Sequence, residues 1–282
     1  MDHPITPEEN LIQLLQSPSY RLAYRDRDFM AGPRLRAARM ELEMLKPELT
    51  FSDYRVRSTV VVFGSTQIVD RQSAEDRLRR ARTSLQETPN NPRRQRAVDR
   101  AERILAKADY YEKAHRFATL VSSINQEDPR HLDFVIVTGG GPGIMEAANR
   151  GAFEIGGKSI GLNIRLPHEQ APNAYITPEL CFQFHYFAIR KFHFLLRAKA
   201  LVVFPGGFGT LDELFDALTL RQTGRLQDIP IIIFGREYWE HVIDFQYLAD
   251  EGTLDDADLD LFRYVDTPEE AWDAIKAFHR LD

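Results

Sequence analysis

Thr59-Val60-Val61-Val62-Phe63-Gly64-Ser65 is the stretch from which the fold can be read. Five apolar, largely β-branched residues in succession, stopped by two small ones, describe a strand buried on both faces with a tight turn at its carboxyl end. Two further runs share that shape: 134–138 enters Gly139-Gly140-Gly141-Pro142-Gly143, and 201–204 enters Pro205-Gly206-Gly207-Phe208-Gly209-Thr210. Residues 159–164, 180–184, 229–234 and 262–265 read as strands as well. Helical stretches separate them: 74–86, then 94–122 beyond the turn Pro89-Asn90-Asn91-Pro92, one through about 155, then 185–199, one to about 222, 237–248 and 268–279. Strands alternating with helices of this length build βαβ units with right-handed crossovers. The expected fold class is α/β: a Rossmann-like, doubly wound parallel sheet with helices on both faces.

Upstream of the sheet the texture differs. Residues 1–50 hold no strand-like run. Leu11, Ile12, Leu14 and Leu15 form a short apolar stripe at helical spacing, and Leu35, Ala38, Met40, Leu42 and Leu45 suggest a second helix that stops before Pro47. Neither stripe has a core of its own. The expected organisation is an N-terminal helical extension over 1–50, packed on the main domain or on a neighbouring subunit, and one Rossmann-like domain over 51–282.

The 282 residues are 43% hydrophobic and 28% charged, which excludes disordered, collagen-like and disulfide-stapled classes. No window approaches the roughly 18 apolar residues of a membrane span. The N-terminus, MDHPITPEEN, lacks the basic and apolar segments of a secretory signal, and one cysteine, Cys181, makes no internal disulfide. A cytoplasmic protein is expected, without membrane partners. The net charge of −6 also argues against a nucleic-acid platform. Residues 71–116 carry 13 basic and 7 acidic side chains, yet Glu75, Asp76, Asp99 and Glu102 are interspersed, as on a solvated helical face.

Chemistry is suggested by the three loops. In an open parallel sheet, ligands bind beyond the carboxyl ends of the strands where the strand order reverses. Glycines there let the backbone approach an anion, and each following helix offers free N–H groups and a positive dipole end. The phosphate-binding candidates are Gly64 and Ser65, Gly140, Gly141 and Gly143, and Gly206, Gly207, Gly209 and Thr210, the last with an N-cap as its structural alternative. A P-loop requires Lys and Ser/Thr after its last glycine, and neither glycine loop has them. The dinucleotide fingerprint fails too, because Glu146 stands at its third glycine and the second-strand acid is replaced by Asn163-Ile164. A nucleoside monophosphate or a sugar phosphate fits better than a dinucleotide or a triphosphate.

Taken together, Pro205-Gly206-Gly207-Phe208-Gly209-Thr210-Leu211-Asp212-Glu213, the preceding Arg190-Lys191 and the loop Thr138–Met145 with Gly64-Ser65 resemble the motifs of the LONELY GUY family, often labelled lysine decarboxylase. Members are cytokinin riboside 5′-monophosphate phosphoribohydrolases, and many bacterial ones act on AMP. The resemblance covers roughly 58–280 and implies a nucleotide-binding catalytic domain that hydrolyses AMP or a cytokinin riboside monophosphate to free base and ribose 5-phosphate. It implies Arg190 and Glu213 as the catalytic pair and Met145 and Lys191 as further substrate contacts, with no cofactor and no metal. It also implies a homodimer or larger homo-oligomer. The chain departs from the family at His193, Phe194 and Lys199, which leaves the base open.

The residues themselves agree with that chemistry. Breaking an N-glycosidic bond builds positive charge on the ribose, which a carboxylate beside the ring stabilises. Glu213 falls in the first turn after the glycine loop, while Asp212 lies about 100° round the helix and faces elsewhere. Arg190 either neutralises the phosphate or donates toward the departing base. Other candidates are weaker. Cys181, His185 and His193 match no zinc spacing, His168-Glu169 lacks a second histidine, and the acidic run 250–260 reads as surface. Phe182, Phe184, Tyr186 and Phe187 read as core rather than as a base-stacking platform. The alternative function is a non-catalytic nucleotide- or molybdenum-cofactor-binding carrier, which needs the glycine loops but not the Arg190–Glu213 pair.

Overall fold

The computed structural model describes residues 5–125, 131–167 and 171–281. The chain divides into two compact units, Met1–Lys46 and Pro47–Asp282. In the smaller, α1 (Pro7–Gln16) opens with a reciprocal cap between Thr6 and Glu9, and α2 (Arg27–Ala31) is capped by Asp26. Leu11, Ile12, Leu14 and Leu15 are all exposed. Polar bonds do the fastening instead: Arg39 Nη1 donates to the carbonyls of Met30 and Gly32, each at 2.7 Å.

Helix α3 (Arg36–Asp53) does not stop before Pro47 as expected but runs on for nearly two more turns. Proline removes one helical N–H, a local cost. Beyond it, Phe51 is buried edge-on against Phe182, and Glu48 accepts a hydrogen bond from Arg197. Packing of the last turns outweighs the missing bond.

The larger unit then alternates: β1 (Thr59–Phe63), α4 (Arg71–Glu87), α5 (Pro92–Leu105), α6 (Asp109–Asn125), β2 (Val135–Thr138), α7 (Ile144–Glu154), β3 (Ser159–Ile164), β4 (Cys181–Phe184), α8 (Phe187–Leu196), β5 (Ala198–Val203), α9 (Phe208–Gln222), β6 (Ile231–Phe234), α10 (Arg236–Val242), α11 (Phe245–Asp250), β7 (Arg263–Val265) and α12 (Pro268–His279). All seven strands pair in parallel in the order β4-β3-β2-β1-β5-β6-β7. Alternate residues of each strand feed opposite cores. Val60, Val62, Ile136, Val202 and Ile232 meet α6, α7 and α12, whereas Val61, Phe63, Val137, Val203 and Ile233 meet α8, α9, α10 and α11. The expected doubly wound α/β architecture is what the chain adopts.

Three boundaries differ from expectation. The stretch 94–122 is two helices, because α5 folds back on α4, where Arg82 pairs with Glu102 at 2.7 Å, while α6 packs on the sheet and α7. The segment 185–199 ends early: α8 stops at Leu196 and β5 starts at Ala198, drawn into the sheet by pairing with β1. The helix over 237–248 breaks at Asp244, which caps α11 by accepting from the Tyr247 amide at 2.9 Å.

Helices α6 and α7 cross closely enough that a Cβ on Gly151 would collide with the backbone carbonyl of His115. Gly151→Ala is therefore expected to destabilise the fold by about 1–3 kcal/mol, the usual cost of overpacking. Thermal unfolding followed by circular dichroism should show the midpoint several degrees lower.

Candidate functional site

The chain lays down β1 to β4 in one direction and then crosses to the far side of β1 to place β5. This reversal brings the loops after β2, β1 and β5 side by side at one sheet edge. Ser65 ties them together: its amide donates to the Pro205 carbonyl at 2.9 Å, and its carbonyl accepts from Ile144 at 3.1 Å. A cavity of about 450 Å³ opens between them.

Of the residues expected at the site, Gly64, Ser65, Gly141, Met145, Gly207, Gly209, Thr210, Arg190 and Glu213 line that cavity. Gly140, Gly143 and Gly206 do not line it but shape the loops. Gly140 and Gly143 have φ of 72° and 73°, and Cβ atoms there would strike the Asn163 amide and the Ser65 carbonyl respectively. Gly207 and Gly209 are different: a Cβ on either would meet nothing within 4 Å, so nothing in the chain itself demands glycine there. Gly207 caps α9 without any side-chain hydrogen bond, so the cap supplies no partner to the first amides of that helix, and Gly207, Phe208, Gly209 and Thr210 all line the cavity. Thr210 is buried and belongs to the first turn of α9 rather than capping it. Lys191 turns away from the cavity, its Nζ 2.8 Å from Asp212 and 3.8 Å from Asp216, which also accounts for the outward Asp212.

Arg190 and Glu213 meet at the cavity wall. Arg190 Nη2 lies 3.3 Å from Glu213 Oε1, and both side chains are largely out of water, at 14% and 6% exposure. The guanidinium lies over the rings of Phe187 and Phe194, 5.1 and 5.5 Å from their centroids. Burial pushes the Glu213 carboxyl up to about 7, although Arg190 and Lys191 pull it the other way. Burial also lowers Arg190, against the attraction of Glu213. Both shifts have one meaning: desolvation outweighs pairing. The carboxylate is left close to the balance point between its charged and neutral forms near neutral pH.

Several lining residues were not foreseen: Gln67, Asn163, Leu166 and Ala171, with Phe187 and Phe208 supplying aromatic walls. Phe182 and Phe184 are core, but Phe187 is half exposed and Phe208 almost wholly so. The one signal for Phe208 was an aromatic between two glycines. A buried amide network behind the β2 loop was invisible too. Asn149, fully buried, accepts from Thr138 Oγ1 at 2.7 Å and from Asn173 Nδ2 at 3.0 Å, and donates to Ser159 Oγ at 3.0 Å. Thr138 Oγ1 in turn accepts from the Gly140 amide, while Asn173 donates to the carbonyls of Gly140 and Gly141. His168-Glu169 lies outside the described residues. Among the described residues no three His, Cys, Asp or Glu side chains converge as a metal-binding group, and no helix is long and apolar enough to cross a membrane.

Asn149→Ala deletes the hub and leaves several buried groups unpaired, so a loss of about 2–4 kcal/mol is expected. A denaturant titration should show the midpoint shifted accordingly, with the slope unchanged.

Comparison with known proteins bears on this arrangement. Residues 145–275 match the family model described as possible lysine decarboxylase. No curated protein matches the sequence. Among solved structures, the molybdenum cofactor binding protein of Rippkaea orientalis aligns at 16% identity and TM-score 0.47, over 79% of this chain and 97% of that one. The structural-genomics target TM1055 aligns at 21% identity and TM-score 0.48, over 78% and 99%. The Moco carrier protein of Chlamydomonas reinhardtii aligns at 16% identity and TM-score 0.46, over 79% and 98%. Over residues 145–275 the chain is thus similar to the family described as possible lysine decarboxylase, and that span holds the Arg190-Lys191 and Pro205–Glu213 motifs.

Proposed function

We propose that the protein is a nucleoside 5′-monophosphate phosphoribohydrolase that cleaves AMP, or a related riboside monophosphate, to free base and ribose 5-phosphate. The observation that carries this reading is the buried Arg190–Glu213 pair beside uncapped helix amides in one cavity. The 5′-phosphate sits against the amides of Gly207, Gly209 and Thr210 at the α9 N-terminus, where the helix dipole favours an anion. Glu213 follows Thr210 by three residues on the same helix face, about 4.5 Å further along the axis, so the ribose ring lies beside its carboxylate. Phe187, Phe208, Leu166 and Met145 offer an apolar surface to the base.

In the reaction the bond between C1′ and the base nitrogen breaks with its electrons leaving on the base. Water adds its oxygen to C1′ and gives a proton to the departing base. The Glu213 carboxylate stabilises the positive ring and orients the water, and Arg190 holds that carboxylate in place. A lysine Schiff base, as amino-acid decarboxylation uses, has no counterpart: none of the described residues lining the cavity is a lysine.

Purified protein should release adenine from AMP, seen by chromatography, and act far more slowly on adenosine, which lacks the phosphate anchor. Equal turnover of both would contradict the anchor, and firm AMP binding with no adenine released would favour a carrier. Glu213→Gln should lower turnover at least about a hundredfold without unfolding the protein, and Arg190→Ala comparably.

The pH profile follows from the raised carboxyl. Glu213 is neutral well below about 7 in the free protein and ionised well above it. Since the reaction uses the carboxylate, kcat/KM for AMP should climb through pH 7 and level off beyond it, above the AMP phosphate ionisation at about 6. A rate falling through pH 7 would instead make protonated Glu213 the working form.

A further inference from the structure

We infer that Tyr238, outside the cavity and 32 residues from the loop in sequence, is a positioning residue that sets the direction of the Gly207 amide at the phosphate seat. The inference rests on the proposed phosphate site and adds a residue to it. Tyr238 stands in the first turn of α10, and its hydroxyl donates to the Gly206 carbonyl at 2.7 Å. The 206–207 peptide is trans, as is every described peptide bond. In a planar trans peptide the C=O and the following N–H point in opposite directions. Fixing the Gly206 carbonyl on Tyr238 therefore aims the Gly207 N–H the other way, and Gly207 lines the cavity.

Glycine makes such an anchor necessary. With no side chain and open space around its Cβ position, Gly207 has nothing of its own to restrain its peptide. The preceding peptide is held in the same manner, since the Pro205 carbonyl accepts from the Ser65 amide. The β2 loop repeats the device: Asn173 holds the Gly140 carbonyl, and Gly141 lines the cavity. Asn173 is also bound into the Asn149 network, so removing it disturbs the core, whereas Tyr238 contributes one bond to one carbonyl.

Tyr238 is suited to a fixed role. Its neighbour Trp239 is fully buried, and the Trp239 indole donates to the Phe234 carbonyl at 3.1 Å, anchoring the start of α10 to β6. Burial raises the phenol above its ordinary range, so it remains a donor through the neutral region.

The test is calorimetric titration of the full-length protein with ribose 5-phosphate, with AMP and adenosine kinetics alongside. Tyr238→Phe deletes only the hydroxyl. It should weaken ribose 5-phosphate about tenfold and raise KM for AMP similarly, leaving kcat/KM for adenosine unchanged. Trp239→Phe, which removes a buried donor from the same helix but not from the glycine loop, should lower thermal stability while keeping ribose 5-phosphate affinity. Unchanged affinity in Tyr238→Phe would overturn the positioning role alone. Equal loss in both variants would assign the effect to a loosened α10 and overturn it as well. Wild-type protein that takes up no ribose 5-phosphate would overturn the phosphate site and this inference with it.

Discussion

A carboxylate and a guanidinium kept out of water against one another are the constraint around which the rest of the site is arranged. Taking either charge out of water is costly, and their mutual attraction does not fully offset it, as the opposed shifts of Glu213 and Arg190 show. A pair of this kind persists only if the surroundings hold it. Helices α8 and α9 each supply one partner, both are packed against the same face of the sheet, and Phe187 and Phe194 flank the guanidinium. What the fold gains in return is a carboxyl group whose charge is easily changed, in the cavity that the glycine loops line.

The same economy governs the backbone. Glycine loops can approach a phosphate closely but have no intrinsic stiffness. Here their rigidity is borrowed from elsewhere: Ser65 links the loops, the Asn149–Asn173 network stands behind one and Tyr238 behind the other. The strand order determines that these loops meet at all, because the reversal after β4 puts β5 next to β1. Local chemistry and global topology thus contribute to one cavity.

Much of this was legible in the residues. β1 matched its expected bounds because a strand buried on both faces must be a continuous apolar run, and Val60–Val62 has no other reading. The glycine loops stood out because three strands ended alike. What escaped was set by contacts distant in sequence. Ala198, Lys199 and Ala200 have no strand signature, and only their pairing with β1 makes them one. Helix α3 ignores Pro47 because Phe51 finds Phe182. Asn149, Asn173 and Tyr238 are polar residues of common type whose importance lies in their partners. Phe187 looked like core beside Phe182 and Phe184, but the start of α8 turns it toward the cavity.

The most direct measurement is a carbon-13 NMR titration of the carboxyl groups in glutamate-labelled protein, with the Glu213 signal assigned by its loss in Glu213→Gln. The account predicts a midpoint near 7, far above an ordinary glutamate, because burial outweighs the neighbouring Arg190. A midpoint at or below the ordinary value of about 4.3 would mean that Arg190 dominates, and would contradict the desolvated pair on which the proposed chemistry stands.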